Sequence, residues 1–193
     1  MTMAPAYDHR GYPLPGEWTV DDLYALPEDG MRRELVDGVL VEMPSPKADH
    51  QLLAALLTAE LHRGRPSEYA VTQAVDVRFD LKNSRCPDLP VVAASAMSGG
   101  PSHFAAEDVV LAVEIVSPST KSQDRFAKPI QYAQAGIPHY WRIDLEPKVV
   151  VNVFRREEPL GGYALRHEFS EELSVDEPWP IRIPFDTFVP SPR

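Results

Sequence analysis

Residues 109–116 read Val-Val-Leu-Ala-Val-Glu-Ile-Val, an apolar run long enough to form a central strand of a sheet. The Ser-Pro-Ser-Thr segment at 117–120 ends this strand. A helix is predicted from about residue 124 to residue 134, with Gly136 as its C-cap, and a further strand at 138–145. This succession of a strand, a helix and a second strand indicates helices packed on a sheet.

Segments on both sides of this stretch add to the sheet and to its helices. Thr19 can cap a short helix that runs to about Leu26. The pair Asp37-Gly38 between two short apolar runs is typical of a type I′ hairpin, and leucines at helical spacing predict a helix over 48–63. Further strand-like segments lie at 69–80, 88–92 and 149–155. The order predicts an α/β (α+β) fold with one mixed β-sheet flanked by helices.

The length of 193 residues and the ordinary composition, 44% hydrophobic and 25% charged, favour one domain. We predict an extended N-terminal arm at 1–18, a single domain at 19–187 and a C-terminal tail at 188–193. The arms are predicted because many of the 20 prolines lie near the two ends. They are either flexible tails or segments that wrap a neighbouring subunit through Trp18 and Trp179.

The charge balance and several missing patterns limit the function. Nineteen basic and 29 acidic residues give a net charge of −10, which argues against a non-specific nucleic-acid coat but allows an enzyme with a small basic patch. No apolar run approaches the roughly 18 residues that span a bilayer, so a cytoplasmic protein without a membrane partner is expected. No glycine-rich phosphate loop is present, so no nucleotide cofactor is expected. The single cysteine, Cys86, excludes an internal disulfide.

Two carboxylates stand out from the surface charge. Glu114 lies inside the apolar run, where a glutamate is almost never buried unless it is paired or bound to a metal. Asp88 opens a second apolar run directly after Pro87. A strand with one solvated face, or a buried salt bridge, would also explain Glu114.

A lysine is available on the predicted helix that follows. Lys128 lies four residues after Asp124, so the two side chains share a helical face. Either Asp124 caps the helix and forms an ordinary ion pair with Lys128, or the helix delivers the lysine to the pair Asp88 and Glu114. Two carboxylates and a lysine suit Mg²⁺, which binds one or two protein carboxylates and keeps several waters.

Three segments carry a resemblance to a known family: ELVDGVLVEMPSP from residue 34, RCPDLPVV from residue 85, and LAVEIVSPSTKSQDRFAKPIQYAQAGIPHYWRIDLEPKVVVNVFR from residue 111. They resemble the Uma-type family of bacterial endonucleases, formerly a family of unknown function, over roughly residues 19–187. That family is similar to the PD-(D/E)XK superfamily, which includes restriction endonucleases. The resemblance implies a restriction-endonuclease-like mixed sheet flanked by helices, with extended proline-rich termini.

The resemblance also implies the site residues. Asp88 and Glu114 match the two acidic metal ligands, and the backbone carbonyl of Ile115 is a further ligand by analogy. The superfamily has a lysine two residues after its second acidic residue, where this chain has Val116. Lys128 takes the place of that lysine in the Uma-type pattern.

Two further residues match the family pattern. Glu34 matches an early acidic residue and is either a third carboxylate of the site or part of a salt bridge at the hairpin edge. His50 matches a position near the start of the long helix, where it either contacts substrate or water or is a solvated residue of the first turn.

The expected function is a Mg²⁺-dependent nuclease, with Mn²⁺ as a substitute metal, that hydrolyses phosphodiester bonds in DNA or RNA. A homodimer is expected from the proline-rich arms, from aromatic residues such as Tyr12, Trp18 and Trp179, and by analogy with the superfamily. The alternative is a dimeric binding or regulatory module that retains the nuclease fold without catalysis.

Overall fold

The structure is a computed structural model that describes residues 7–117, 121–159 and 161–188. It has the mixed α+β architecture that the sequence predicts, with few helices. The strands form two mixed sheets and a separate hairpin, whereas the sequence predicts one mixed sheet. The helices are α1 Val20–Tyr24, α2 Ala48–Gly64 and α3 Lys128–Gln134, with a π-helical turn, Gln123–Ala127, directly before α3. Short 3-10 turns lie at Ala94–Met97, Ala106–Asp108 and Phe185–Thr187.

Thirteen strands are assigned within these residues. They are β1 Arg33–Val36, β2 Val39–Glu42, β3 Tyr69–Val71, β4 Asp76–Arg78, β5 Ser84–Arg85, β6 Leu89–Ala93, β7 His103–Ala105, β8 Val109–Val116, β9 His139–Asp144, β10 Val150–Glu157, β11 Gly162–Phe169, β12 Glu172–Val175 and β13 Ile181–Pro184. The large sheet has the order β11-β10-β9-β8-β6-β3, in which β8 and β9 are parallel and the other pairs antiparallel. The smaller sheet has the order β2-β1-β5-β4-β7, and β12 pairs with β13.

The large sheet buries both of its faces. On one face, α2 and the β12–β13 hairpin cover alternate residues of the central strands, such as Leu111, Val113 and Trp141. On the other face, α3 and the small sheet pack on residues such as Ala112 and Tyr140. Strand β8 is therefore buried on both sides, as its continuous apolar sequence predicts.

Several predicted elements are present. The helix predicted at 48–63 is α2, and the central strand predicted at 109–116 is β8. The predicted hairpin joins β1 to β2, and Asp37 and Gly38 have φ angles of 50° and 72°, as a type I′ turn requires. A Cβ atom on Gly38 would lie 2.4 Å from the carbonyl oxygen of Gly16, so close backbone approach also requires glycine there.

Other elements differ from the prediction. Residues 69–80 form two short strands in different sheets, β3 and β4, because the chain turns at Ala74, which has a φ of 51°. The helix before α3 begins at residue 121, so Asp124 lies inside it and does not cap it. Strands β11 to β13 were not predicted. Strand β8 ends at Val116, directly before the break predicted at 117–120; of that segment, residues 118–120 lie outside the described residues.

The two tryptophans of the predicted arms pack on the same chain, whereas Tyr12 is 40% exposed. Trp18 packs with α1 and β1, and Trp179 belongs to the core under α2; their exposed fractions are 8% and 4%. They therefore lend no support to the predicted homodimer, which stays a prediction. Of the predicted tail at 188–193 only Phe188 is described, and residues 1–6 of the predicted arm also lie outside the described part.

Within the described residues, the helices are all too short or too polar to cross a membrane.

Candidate active site

Asp88 and Glu114 lie side by side on one face of the large sheet. Strands β6 and β8 are antiparallel with Leu89 opposite Val113, so the same register places Asp88 opposite Glu114. Because side chains alternate along a strand, Glu114 points away from the apolar face under α2 and towards the helix that carries Lys128. Asp88 lies within reach of His50, in the first turn of α2. The exposed fractions of Asp88 and Glu114 are 8% and 1%.

Asp88 is held in place by two hydrogen bonds to one oxygen. The backbone N–H of Ile115 donates to Oδ2 at 2.8 Å, and His50 Nε2 lies 3.0 Å from the same atom. The other oxygen, Oδ1, is 4.0 Å from the guanidinium of Arg32. Burial alone would raise the pKa of Asp88, but His50, Lys128 and the Ile115 N–H outweigh it and lower the pKa, so the carboxylate is ionised at neutral pH.

The ammonium of Lys128 lies among three carboxylates. Its Nζ is 2.9 Å from Glu114 Oε2, 3.2 Å from Asp124 Oδ1 and 3.6 Å from Glu34 Oε1, and the residue is 2% exposed. Burial alone would lower the pKa of Lys128, but these carboxylates raise it, so the lysine is charged.

Glu114 uses both carboxylate oxygens. Lys128 donates to one, and the hydroxyl of Tyr132 donates to the other through a short hydrogen bond. Burial raises the pKa of Glu114 well above its usual value in spite of Lys128. The ionised form of Glu114 is therefore stabilised by a nearby cation and disfavoured by burial.

Glu34 lies behind this cluster, where β1 and β5 meet. Its carboxylate accepts hydrogen bonds from Arg85 Nη1 at 2.5 Å and from the backbone N–H of Cys86 at 3.1 Å. Arg85 also donates to Gln123 and Gln131, which flank Lys128 on the helix. This network connects the small sheet to the helix that positions Lys128.

A cavity of about 150 Å³ opens beside these residues. Its wall includes Asp88, Glu114 and Lys128 together with Arg32 and His50, and Ile115, Asp124 and Cys86 also line it. Glu34 is not among the residues that line it. The structure thus brings Asp88, Glu114, Lys128 and His50 to one cavity and leaves Glu34 behind it.

Sequence reasoning missed three of these residues: Arg32, Arg85 and Tyr132. Tyr132 follows Lys128 by four residues, and this spacing on one helical face was the available signal. Arg85 lies in the small sheet and Arg32 directly before it. The contacts of Arg85 with Gln131 in α3, and of Arg32 with Cys86 and Asp88, depend on tertiary packing that no local pattern records.

The donor set fits a hard divalent cation that needs few protein ligands. Among residues 7–117, 121–159 and 161–188, no three side chains of His, Cys, Asp or Glu form a group that could hold a metal ion. Mg²⁺ is commonly bound through only one or two carboxylates, with waters filling its other positions. Asp88 and Glu114 provide two such carboxylates.

The fold is shared with a solved crystal structure. A crystal structure described as "a putative nuclease belonging to DUF820" from Anabaena variabilis ATCC 29413 superposes with a TM-score of 0.62 at 20% sequence identity. The match covers 83% of this chain and 89% of that chain, and it establishes the fold.

The family follows from the sequence itself. The model of the Uma2 family, described as "Putative restriction endonuclease", matches residues 20–184, and the chain belongs to that family. No curated protein matches the chain. The predicted resemblance to Uma-type endonucleases is confirmed.

Proposed function

We propose that this protein is a Mg²⁺-dependent nuclease that hydrolyses phosphodiester bonds in DNA. One observation is the main support: Asp88 and Glu114 line one cavity from adjacent strands, and the ammonium of Lys128 lies 2.9 Å from Glu114. The family assignment supports the reaction class, and RNA is the alternative substrate.

Asp88 and Glu114 would hold the metal, with the carbonyl of Ile115 as a further ligand. When bound there, Mg²⁺ supplies Lewis-acid stabilisation of the phosphate and lowers the pKa of a water. Asp88 suits this role because His50 and the Ile115 N–H fix one of its oxygens. The raised pKa of Glu114 favours the same role, because a cation would recover the ionised form that burial disfavours.

Lys128 acts in this proposal as a charged donor and not as a base. The neighbouring carboxylates raise the pKa of Lys128, so the lysine stays protonated at neutral pH. A fixed ammonium at the cavity wall can orient the attacking water and offset the negative charge that develops on the phosphate. Asp124 would hold Lys128 in this direction from within the helix, at 3.2 Å.

Glu34 is assigned to positioning instead of metal binding. Its two oxygens accept hydrogen bonds from Arg85 and from the Cys86 N–H, and it lies behind the cavity wall. Its negative charge lies 3.6 Å from Lys128 and stabilises the ammonium from the side away from substrate. His50 is likewise a positioning residue, because it contacts Asp88 and lines the cavity.

The test compares the wild type with Glu114→Gln in thermal melting and in cleavage. A cation that binds only the folded protein adds RT ln(1 + [L]/Kd), roughly 2.7 kcal/mol at a hundred-fold excess over Kd. The melting temperature of the wild type should therefore rise in Mn²⁺ or Mg²⁺, and Glu114→Gln should abolish the rise and the cleavage of mixed single- and double-stranded DNA. Glu107→Gln removes an exposed carboxylate just before β8 and should behave as the wild type. A wild-type melting curve unchanged by Mn²⁺, together with intact DNA, would refute the proposal.

The alternative, a binding module that does not cleave, has one specific observation in its favour. Both oxygens of Glu114 already accept hydrogen bonds from the chain itself, so this carboxylate has hydrogen-bond partners without a metal. This alternative predicts that DNA binds but stays intact in every divalent cation. It also predicts that Glu114→Gln lowers the melting temperature without any change in the response to Mn²⁺.

A further inference from the structure

Arg32 lies at the mouth of the candidate active site and has no role in the site described so far. It immediately precedes β1, and its carbonyl accepts a hydrogen bond of 2.8 Å from the backbone N–H of Met43. Its side chain lines the cavity that Asp88 and Glu114 share, and a neighbouring cavity as well. The hairpin holds the backbone of Arg32 and therefore the direction of its Cα–Cβ bond.

The guanidinium of Arg32 is poorly paired for an arginine. Its Nη2 donates to Cys86 Sγ at 3.5 Å and lies 4.0 Å from Asp88 Oδ1, beyond hydrogen-bond distance. Its Nε is buried and has no hydrogen-bond partner in the described part of the chain. A buried donor without an acceptor costs free energy unless a ligand completes it.

Arg85 and Arg33 have stronger hydrogen-bond partners than Arg32. Arg85 donates to Glu34, Gln123 and Gln131 and has an exposed side-chain fraction of 3%. Arg33 forms a two-pronged pair with Asp29, at 2.9 and 2.6 Å. Arg32 has a side-chain exposure of 31%, and its best acceptor is a thiol.

Cys86 gives this guanidinium only a weak hydrogen bond. Its Sγ lies 3.5 Å from Nη2, and the residue is buried, with an exposed fraction of 6%. A thiol sulfur is a weak acceptor, and an anion would compete with it easily. Arg32 thus presents a cation with free donors to whatever occupies the cavity.

We propose that Arg32 is a phosphate-binding residue, whose guanidinium donates to the non-bridging oxygens of the substrate phosphate in this cavity. The inference rests on the proposed function and assigns the contact that recognises the phosphate itself. Arginine suits this role because its planar fork matches the geometry of phosphate oxygens. The nearby carboxylate of Asp88 would hold the metal on the same phosphate, so metal and guanidinium would share its charge.

The first experiment measures binding without catalysis. Calorimetry in metal-free buffer measures the binding of the dinucleotide dTdT, and of its analogue in which an uncharged methylphosphonate replaces the phosphodiester, to the wild type, Arg32→Met and Arg33→Met. The wild type and Arg33→Met should prefer the phosphodiester, and Arg32→Met should bind it roughly ten- to a hundred-fold more weakly. Binding of the methylphosphonate should differ little among the three proteins.

The second experiment separates this inference from the proposed function. Arg32 is not a metal ligand, so Arg32→Met should keep the rise in melting temperature in Mn²⁺ while its cleavage rate falls. Arg32→Lys keeps a charge but loses the fork, and should lie between the wild type and Arg32→Met in both assays. It also serves as the informative variant if Arg32→Met does not fold.

The outcomes are distinct. A wild type that neither cleaves DNA nor responds to Mn²⁺, but loses its phosphate preference on Arg32→Met, would overturn the nuclease and keep the phosphate site. An active wild type matched in rate and in dinucleotide affinity by Arg32→Met would overturn the phosphate site and keep the nuclease. A wild type that binds both dinucleotides equally would also overturn the phosphate site.

Discussion

The two faces of strand β8 differ sharply although they alternate residue by residue. The face under α2 contains Leu111, Val113 and Ile115, all buried in the larger apolar core. The opposite face contains Ala112, which packs in the second core, and then Glu114, whose nearest groups are Lys128 and Tyr132. One face gives stability through apolar burial, and the other keeps buried charges in place.

The apolar face of β8 offsets the free energy that is lost by burying the charged groups of the site. Burying a carboxylate and an ammonium is unfavourable, and their mutual attraction offsets that cost only with good geometry. The apolar face contributes burial that does not depend on charge or pH. Mutations on the two faces should therefore separate stability from function.

The largest effect is expected for Lys128→Met, which removes the ammonium and keeps much of the apolar stem. Cleavage should fall by about 10²–10³, the usual cost of losing one preorganised electrostatic group. The stability should fall by about 3–5 kcal/mol, because Glu34, Glu114 and Asp124 lose their shared cation.

Cleavage assays and urea unfolding would measure the two effects of Lys128→Met, and Lys121→Met, an exposed lysine on the same helix, is the matched control. The Mn²⁺ response should survive in Lys128→Met, since the metal ligands remain. Equal cleavage by Lys128→Met and the wild type would remove Lys128 from the mechanism.

The apolar face is tested by Leu57→Ala in α2, which is 1% exposed. Its loss of buried surface should cost about 2–5 kcal/mol of the free energy of unfolding. The rate of cleavage well below the melting temperature should be unchanged, because the residue lies on the side of the sheet away from the site. Leu52→Ala on the same helix is 42% exposed and should cost about 0.5 kcal/mol or less. A large fall in the rate for Leu57→Ala would show that the two faces are coupled.

The effect that is smallest at neutral pH concerns acid stability and comes from the apolar side. Burial and then Arg155 lower the pKa of His139 from 6.5 to about 4. As the pH falls from 6.5 to 4, the unfolded chain takes up this proton before the folded protein does, so stability falls by up to about 1.4 kcal/mol per pH unit. His139→Gln should remove this contribution, which urea unfolding at several pH values would measure as a flatter profile. An identical pH profile in the wild type and His139→Gln would contradict this interpretation.

The sequence predicted the parts of the fold that have strong local patterns. The leucine spacing of α2, the turn residues Asp37 and Gly38 and the apolar run of β8 each determine their element with little help from the rest of the chain. Strand β11 escaped prediction because it is an edge strand of mixed polarity that is largely exposed. The split at Ala74 depends on which sheet each half joins, which is a tertiary choice.

For the site, the residue types were predictable and their neighbours were not. Asp88 and Glu114 stood out because charge in an apolar context is costly. Lys128 stood out because it shares a helical face with Asp124 and matches the Uma-type pattern. The sequence did not show that Lys128 is shared by three carboxylates, since Glu34 comes from a strand 94 positions earlier. The expected cost of losing Lys128 therefore rises from a few tenths of a kcal/mol for a helical pair to several kcal/mol.

The π-helical turn at Gln123–Ala127 has a consequence for how this helix can change in length. A π turn holds one residue more than an α turn, and each residue rotates a helix by about 100°. Removing a residue between Asp124 and Lys128 would give a regular helix, but it would rotate Asp124 by about 100° relative to Lys128, which is the first residue of α3. Substitutions within the turn leave this relative orientation unchanged. The number of residues in the turn therefore sets how Asp124 and the ammonium of Lys128 are aligned.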